Sequence, residues 1–341
     1  MDNSKEITIY DIAKNLNVSP STVSRALKDD PTVSKKTKKK IFETAAQMGY
    51  RSNPFAKNLR QQQSLTIGVI VSDLDSPFIS SVVSGIEKVA GEAGYGIIIT
   101  DSSRSAAKEA ANVQNLFHRR VDGVIASLAP DTKELTHFSP FVEKNIPIIF
   151  LDRTSEMAES TSVVIDNRQT GYIATKHLIG QGCQRIAHVT SNLQHNIHAL
   201  RYKGYRNALE EARLPFEESL LVIAEPTEEA SETAAKKLMG LKPMPDGVFI
   251  TNDFAAAVCI RTFLEKGVRV PEDIAVVGFN NEVIGKLIKP ALTTVNYPGR
   301  EMGEAAARSL VSHLKGAGNI GSISTMTIRA ELIVRQSSLK K

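Results

Sequence analysis

Residues 8–27 read TIYDIAKNLNVSPSTVSRAL and predict two short helices joined by a tight polar turn. Thr8 is suited to cap the first helix, and Asp11 three residues later completes a capping box. Ser19 caps the second helix, and Pro20 follows at its first position, where the missing N–H costs nothing. Apolar side chains recur at helical spacing in both segments. The stretch therefore predicts two helices whose apolar faces pack together.

A third predicted helix runs from Ser34 to about Met48 and completes the order of a helix-turn-helix unit. The outer face of the second helix carries short hydroxyls and an arginine, which suit base edges and phosphates in a DNA major groove. An ordinary three-helix bundle is the alternative interpretation. The candidate DNA-contacting residues of this unit are Thr8, Ser19, Pro20, Ser21, Thr22, Ser24 and Arg25.

Charge is distributed unevenly along the 341 residues. Residues 1–62 contain 12 of the 42 basic residues and 6 of the 37 acidic residues, a net charge of +6, whereas the remainder has a net charge of −1. A basic module on a near-neutral body is the pattern expected of a protein that binds phosphate groups. The charge distribution therefore favours DNA binding over a generic helical bundle.

From Leu65 onward, short apolar runs alternate with amphipathic helical stretches, which predicts doubly wound parallel sheets. The predicted fold class is an all-α helix-turn-helix headpiece followed by an α/β body of two doubly wound parallel-sheet subdomains. The first series of strands comprises Leu65–Ser72, Ile97–Thr100, Gly123–Ile125 and Ile148–Leu151. The second series comprises Val163–Ile165, Ile186–Thr190, Leu221–Ile223, Val248–Thr251 and Ile274–Phe279.

A ligand cleft is expected between the two subdomains, because parallel sheets bind ligands at the carboxyl ends of their strands. Carboxyl, amide and guanidinium groups suit the hydroxyls of a sugar, and an aromatic ring suits its apolar face. Asp253 could instead cap a helix. The candidate effector-binding residues, which follow the predicted strands, are Asp73, Phe78, Asp152, His195, Ile197, Arg201, Asp253 and Asn280.

The chain resembles the lactose/galactose repressor (LacI-type) family of bacterial transcriptional regulators from its first helix to about residue 335. The resemblance is carried by VSPSTVSR at residues 18–25, by Met48-Gly49-Tyr50, and by Asn53-Pro54 followed by Ala56 and Leu59. It implies a headpiece, a hinge and an effector domain in that order, with a body like that of periplasmic sugar-binding proteins.

Domain boundaries follow from this resemblance. The helix-turn-helix headpiece is expected over residues 1–51, the hinge helix and linker over 52–64, and the effector-binding and dimerisation domain over 65–341. Within that domain, the N-subdomain is expected at about 65–161 and 291–322. The C-subdomain is expected at about 162–290 and 323–341.

The resemblance implies a sequence-specific DNA-binding repressor that binds a pseudo-palindromic operator and is controlled by a sugar or sugar derivative in the cleft. It also implies that Asn53 and Lys57 contact DNA and that Leu59 is wedged into the minor groove. A hinge helix this short is marginal alone, so it is expected to fold only against DNA and a second copy. Arg201 matches the family's effector-contacting arginine. Asn280 stands where the family usually carries an aspartate, which argues against a cationic effector.

Other function classes find little support in the sequence. No catalytic triad, Walker loop or carboxylate pair stands out, so the chain is not expected to be an enzyme, and no cofactor or metal site is predicted. Two cysteines, no membrane span and no signal peptide predict a cytoplasmic protein without a membrane partner. Two alternatives remain open: a catabolite-control-type regulator with a phosphorylated carrier protein as co-effector, and a pure solute-binding protein.

A two-fold operator requires two headpieces, so a homodimer is expected. Residues 335–341, at the end of the chain, contain one leucine and no heptad repeat, which argues against a tetramer built through the tail. The predicted helix Pro77–Ala93 is a candidate interface, although an apolar stripe at this spacing is more often part of the core. That stripe consists of Phe78, Val82, Ile86 and Val89.

Overall fold

The computed structural model describes residues 7–50, 63–154, 160–194, 196–316 and 324–340. The chain divides into two compact units, Met1–Ser64 and Leu65–Lys341. In the described ranges, no helix combines the length and the apolar character needed to cross a lipid bilayer.

The described part of the first unit is entirely helical. Its elements are α1 (Ile9–Leu16), α2 (Pro20–Leu27) and α3 (Lys35–Gln47). Val23 and Ala26 of α2 pack against Ile12 of α1 and Ile41 of α3 in one buried core. The predicted order of helix, turn, helix and helix is therefore confirmed, with ends that differ from the prediction by a residue.

The predicted helix caps are present in the first unit. Thr8 and Asp11 form the reciprocal capping box at the start of α1. Ser19 accepts a hydrogen bond from the amide of Thr22 at the start of α2, where Pro20 occupies the first turn. Each cap satisfies amides that a helix end leaves without an intrahelical partner.

The described residues of the second unit form two sheets. The strands are β1 (Thr66–Val71), β2 (Gly96–Asp101), β3 (Gly123–Ala126), β4 (Ile148–Leu151), β5 (Thr161–Ile165), β6 (Ile186–Thr190), β7 (Leu221–Ile223), β8 (Gly247–Ile250), β9 (Ala275–Asn280), β10 (Thr293–Asn296), β11 (Thr325–Ile328) and β12 (Leu332–Ile333). The first sheet has the strand order β11-β5-β4-β3-β1-β2, and the second has the order β12-β10-β9-β8-β6-β7. All of these strand pairs are parallel except β10 with β12, which is antiparallel.

The assignment of strands to sheets corrects the sequence prediction in three places. The predicted strand Val163–Ile165 belongs to β5 and pairs in the first sheet, not the second. Strand β10 lies in the second sheet, although residues 291–322 were expected in the N-subdomain. Strand β11 lies in the first sheet, although 323–341 were expected in the C-subdomain. The chain thus crosses between sheets after β5, after β10 and after β11. Sheet membership depends on long-range pairing, which local periodicity does not encode.

Helices cover the sheets on both faces. The elements of the second unit are α4 (Pro77–Glu92), α5 (Ala106–His118), α6 (Ser139–Glu143), α7 (Asn167–Gly180), α8 (Asn196–Glu211), α9 (Glu228–Gly240), α10 (Asp253–Glu265), α11 (Ile284–Leu287) and α12 (Gly299–Leu314). Helix α4 packs closely against α12, and α7 packs against α8.

The apolar stripe of α4 is core and not an exposed interface. Phe78, Val82, Ile86 and Val89 are all buried, in one cluster with residues of α12. The prediction that this stripe forms a dimer interface is therefore wrong, because its four side chains already fill the space beneath α4.

Candidate functional site

The outward face of α2 is the candidate DNA-reading surface of the first unit. Val23 and Ala26 are buried, so they direct the apolar side of α2 toward the core. Ser21 and Arg25 are exposed on the opposite side, and Ser24 is half-buried between the two faces. An exposed guanidinium offers a planar set of donors that can pair with a guanine edge. The geometry therefore presents Ser21 and Arg25 to a partner.

The hydroxyls of Thr8 and Ser19 are engaged at the helix ends. Thr8 Oγ1 donates to Asp11 Oδ2 at 2.6 Å. Ser19 Oγ accepts from the Thr22 amide at 3.1 Å and lies 2.7 Å from Ser21 Oγ. Any hydrogen bond from these hydroxyls to DNA has to be made in addition to the caps, which orient the start of each helix.

The turn between α2 and α3 uses one of the lysines that begin α3. Lys38 Nζ donates to the Asp29 carboxylate at 2.6 Å and to the Asp29 carbonyl at 2.9 Å. Hydrogen bonds from the hydroxyl and the amide of Thr32 lower the pKa of Asp30, so its carboxylate stays ionised in this turn. The exposed lysines that can meet phosphates are Lys35, Lys36, Lys39 and Lys40.

Tyr10 is a candidate contact that the sequence prediction did not include. Its side chain is 65% exposed on α1. The signal was present in the sequence, because Tyr10 lies off the stripe formed by Ile9, Ile12 and Leu16 and so has no place in the core. An exposed aromatic ring with a hydroxyl on a basic unit suits a sugar–phosphate backbone.

Four predicted site residues lie outside the described part of the chain. They are Asn53, Lys57, Leu59 and His195. The hinge contacts of the first three residues, and the place of His195 in the cleft, stay predictions.

Aromatic and polar residues from both sheets of the second unit meet in one cluster. The ring of Phe78 stacks on the ring of Tyr297, with 3.9 Å between centroids and 16° between planes. Tyr297 also meets the ring of Phe279 edge-on at 5.4 Å, and its hydroxyl donates to the carboxylate of Asp152. Phe78 and Asp152 follow strands of the first sheet, whereas Phe279 lies in β9, a strand of the second. The predicted cleft residues Phe78 and Asp152 are therefore brought together by Tyr297.

Arg201 joins this cluster from α8 and is 2% exposed. Its guanidinium carbon lies 3.6 Å from the ring centre of Phe279, and its Nε donates to Asn167 Oδ1 at 2.8 Å. Its Nη2 is buried and has no hydrogen-bond partner within the described residues. Burial lowers the pKa of Arg201 to about 10, so the side chain is still a cation at neutral pH. A buried charged donor without a partner is costly, which suits it to bind an acceptor group of a ligand.

The structure contradicts both interpretations of Asp253, as an effector-binding residue and as a helix cap. The cap of α10 is Asn252, whose Oδ1 accepts from the amide of Ala255 at 2.9 Å. Asp253 is fully buried; its Oδ2 accepts from the amide of Glu282 and its Oδ1 from Thr294 Oγ1, both at 2.7 Å. Burial raises its pKa to about 6. Asp253 therefore neither caps the helix nor presents an exposed oxygen to a ligand, and it stabilises the loop after β9.

The remaining predicted cleft residues are Asn280 and Asp73, at or after strand ends, and Ile197, at the start of a helix. Asn280 ends β9 with a φ of 119° and donates from its amide to Glu282 Oε1 at 2.7 Å. Asp73 follows β1, and its Oδ1 accepts from the Asp75 amide at 3.0 Å. Ile197 is buried near the start of α8. Asn280 and Asp73 are half-buried, so both keep surface that a ligand can reach.

Tyr297 and Ser127 are further candidates for the site that the sequence prediction did not include. Each follows a strand directly, Tyr297 after β10 and Ser127 after β3. Ser127 Oγ is buried without a hydrogen-bond partner in the described ranges. The argument from strand ends that predicts Asp73 applies to both residues. The strand before Ser127 was predicted, whereas the strand before Tyr297 was not.

The chemistry of the cluster is that of stacking and hydrogen bonding. It combines an aromatic surface, a carboxylate and a buried guanidinium, which are the groups that bind polar rings with several hydroxyls. Among the described residues, no group of three or more His, Cys, Asp or Glu side chains could hold a metal ion. Cys183 and Cys259 are buried free thiols, and burial raises the pKa of both.

Two family models match the chain. Residues 8–53 match the model described as bacterial regulatory proteins, lacI family. Residues 175–338 match the model described as periplasmic binding protein-like domain. The helical unit and residues 175–338 of the two-sheet body thus match separate models.

Full-length relatives support the same arrangement. The chain is 32% identical to catabolite control protein A of Priestia megaterium, over 97% of this chain and 99% of the relative. It is similar in structure to the lac repressor dimer bound to operator and the anti-inducer ONPF, with a TM-score of 0.86 at 26% identity, over 98% of this chain and 100% of that one. A complex of the transcriptional regulator CelR with cellobiose gives a TM-score of 0.72 at 26% identity, over 97% and 100% of the two chains.

Proposed function

Because the chain belongs to the lacI family of bacterial regulatory proteins, we propose that it represses transcription by binding a pseudo-palindromic operator as a homodimer, under the control of a sugar or sugar derivative. The chain is a DNA-binding transcriptional regulator with an effector-binding domain, and it is not an enzyme. It acts in the bacterial cytoplasm, where operator DNA is found. The lacI-type headpiece argues against a pure solute-binding protein.

The outward face of α2 supports the operator part of the proposal. Ser21 and Arg25 are exposed beside the lysine-rich start of α3, so base-reading and phosphate-binding groups lie on one small unit. Selection of duplexes from a randomised DNA pool tests this. We expect enrichment of a pseudo-palindrome with two half-sites, because two identical headpieces read it. Enrichment of asymmetric sites, or of none, would contradict the proposal.

The buried guanidinium of Arg201 is the observation that carries the effector part. Its Nη2 lacks a partner in the described chain, next to a stack of aromatic rings that suits a sugar face. The CelR–cellobiose complex supports a saccharide as the ligand class, because that regulator is similar to this chain over nearly its whole length.

A thermal-shift screen of mono- and oligosaccharides against the full-length protein tests the effector class. A sugar at 100 times its Kd adds about 2.7 kcal/mol to the stability. Arg201→Gln should abolish the shift. Arg206→Gln is the matched control, because Arg206 lies on the same helix and stacks on Phe216 at 3.9 Å, outside the cluster. A panel in which no saccharide shifts the melting temperature would exclude this effector class.

An exposed apolar surface on α10 and around α11 supports the homodimer. Val283 is 67% and Leu287 is 75% exposed, and Phe254 and Leu264 are also exposed. Phe254, Leu264 and Ile284 line a groove of about 530 Å³. Large exposed apolar groups that lie together indicate an interaction site. A second copy is the occupant that a two-fold operator requires, and the lac repressor structure is a dimer.

A regulator with a phosphorylated carrier protein as co-effector is the second candidate. One observation favours it: Lys88, Arg300 and Arg308 converge on the single carboxylate of Glu304, at 3.0, 3.9 and 2.8 Å. Three cations thus share one carboxylate at this point, and their remaining N–H donors suit a phosphate group. Pull-down of phosphorylated but not unphosphorylated carrier by the full-length protein would favour this candidate. Loss of the difference in Arg308→Ala would locate the contact.

A further inference from the structure

Tyr297 is the first residue after β10, at the second point where the chain crosses between the sheets. Tyr297 is 8% exposed, and its ring lies between Phe78, in the first turn of α4 over the first sheet, and Phe279, in β9 of the second sheet. The backbone at this position belongs to a connection between the subdomains. A side chain anchored there is therefore sensitive to their relative orientation.

The hydroxyl of Tyr297 ties this connection to the first sheet. It donates to Asp152 Oδ1, and Asp152 follows β4 in a left-handed backbone conformation with φ 63°. Burial and the negative charge of Asp152 raise the pKa of Tyr297 well above its usual value, so the phenol remains a proton donor. A buried hydrogen bond to a carboxylate is among the strong ones in proteins.

Other contacts across the cleft are weaker. Arg104 pairs with Glu225 at 3.1 Å, but both side chains are more than 40% exposed. Asn196 Nδ2 donates to the Thr154 carbonyl at 3.3 Å from an exposed position. Exposed pairs contribute little because water competes for each partner. Of these three contacts, the one between Tyr297 and Asp152 is the buried one.

We propose that Tyr297 is the positioning residue that couples the effector site to the orientation of the two subdomains. Its hydroxyl donates to Asp152 Oδ1 and its ring covers one face of Phe78. An effector whose hydrogen-bond donor takes the place of the hydroxyl on Oδ1 therefore displaces Tyr297 and loosens the connection after β10. This inference rests on the proposed effector function, but the hydrogen bond can be tested without effector or operator.

Hydrogen exchange of the full-length protein without ligand is the test. Three amide hydrogen bonds lie next to the two ends of this contact. Asp152 donates to the Val163 carbonyl and Leu128 to the Arg153 carbonyl beside Asp152, and Gly299 donates to the Tyr297 carbonyl in the connection. In Tyr297→Phe, we expect the exchange of these amides to accelerate about 10-fold, the equivalent of 1.4 kcal/mol lost from a buried hydrogen bond to a charged group.

Tyr205→Phe is the matched control. Tyr205 is also buried, and its hydroxyl donates to the Ile186 carbonyl at 2.8 Å within the C-subdomain. We expect its removal to accelerate exchange around β6 and α8 but not at the three reporting amides. The same exchange pattern in both variants, or no change in Tyr297→Phe, would overturn the proposal.

A double-mutant cycle separates a coupling role from general packing. If Tyr297 acts through Asp152, Tyr297→Phe combined with Asp152→Ala should accelerate the exchange of Leu128 and Gly299 no more than Asp152→Ala does alone. Additive effects of the two substitutions would show that the hydroxyl does not act through Asp152. Failure to select an operator would disprove the proposed function and leave this outcome unaffected.

Discussion

Gly171 of α7 lies directly against the backbone of Arg201 in α8, so that a methyl group on Gly171 would stand 2.1 Å from the Arg201 carbonyl oxygen. Gly204 makes the reciprocal approach, with its missing side chain 2.0 Å from the Arg168 carbonyl oxygen. Two glycines thus let these helices approach more closely than side chains would permit. The close approach places Arg201 over the ring of Phe279.

Gly171→Ala should displace Arg201 and weaken effector binding. The added methyl group forces the helices apart, which we expect to destabilise the protein by about 1–3 kcal/mol despite the better helix propensity of alanine. Urea denaturation and sugar titration measure the two effects. Gly180→Ala in the same helix is the control, because no atom lies within 4 Å of its added methyl group. Equal sugar affinity in the two variants would contradict the role of the close approach.

Arg25→Ala should weaken operator binding by about 1–3 kcal/mol if the guanidinium pairs with a base edge. Fluorescence anisotropy with the selected operator measures this. Arg269→Ala is the control, because Arg269 pairs with Asp273 in the second unit. Leu59→Ala, at the predicted wedge, should also reduce affinity. Parental affinity in both Arg25→Ala and Leu59→Ala would show that the DNA-reading surface lies elsewhere.

Effector and operator should alter each other's affinity by the same factor, because coupling between two binding sites is reciprocal. Titrating the identified sugar with and without the selected operator measures one direction, and titrating operator with and without sugar measures the other. Identical sugar affinities in both conditions would disprove allosteric control, even if both ligands bind.

Leu287→Asp should convert the dimer to monomers, because it places a charge on the exposed apolar surface of α10 and α11. Light scattering at micromolar concentration should give the mass of two chains for the parent and one for the variant. Exposed Val142 in α6 offers the control, since Val142→Asp changes an apolar residue at 62% exposure outside this surface. A Leu287→Asp variant that remains dimeric would place the interface elsewhere.

His188 should make the folded protein lose stability as the pH falls below about 6.5. Burial lowers its pKa to about 3, and its Nε2 is buried without a partner among the described residues. Between pH 3 and 6.5 the unfolded chain therefore binds a proton that the folded chain does not, so acid favours unfolding, by about 2 kcal/mol at pH 5.

His188→Phe should remove this pH dependence. The substitution keeps the ring stacked near Tyr205 and Phe249, whose centroids lie 5.0 and 4.9 Å away, but removes the titrating group. Urea denaturation at pH 5 and pH 7 measures the loss, with exposed His118→Phe as the control. An equal loss of stability between these pH values in parent and variant would refute the assignment to His188.

Local structure was predictable where its causes are local. The caps at Thr8 and Ser19 depend on residues within three positions, and both are present. The strands Ile148–Leu151, Ile186–Thr190 and Leu221–Ile223 have the predicted ends, because each is a short run rich in the branched aliphatic residues that favour strands. Asp253 was misplaced because its partners, Glu282 and Thr294, are distant in the sequence.

The helix-turn-helix unit, the alternating strands and helices of the body, and the family could all be predicted, because caps, periodicity and motifs are properties of neighbouring residues. The membership of β5 and β11 in the first sheet, and of β10 in the second, became apparent from the folded structure. The folded structure alone showed that Tyr297 meets Asp152, 145 positions away in the sequence. Strand pairing and ring stacking are contacts between distant segments, and they form only when the whole core packs at once.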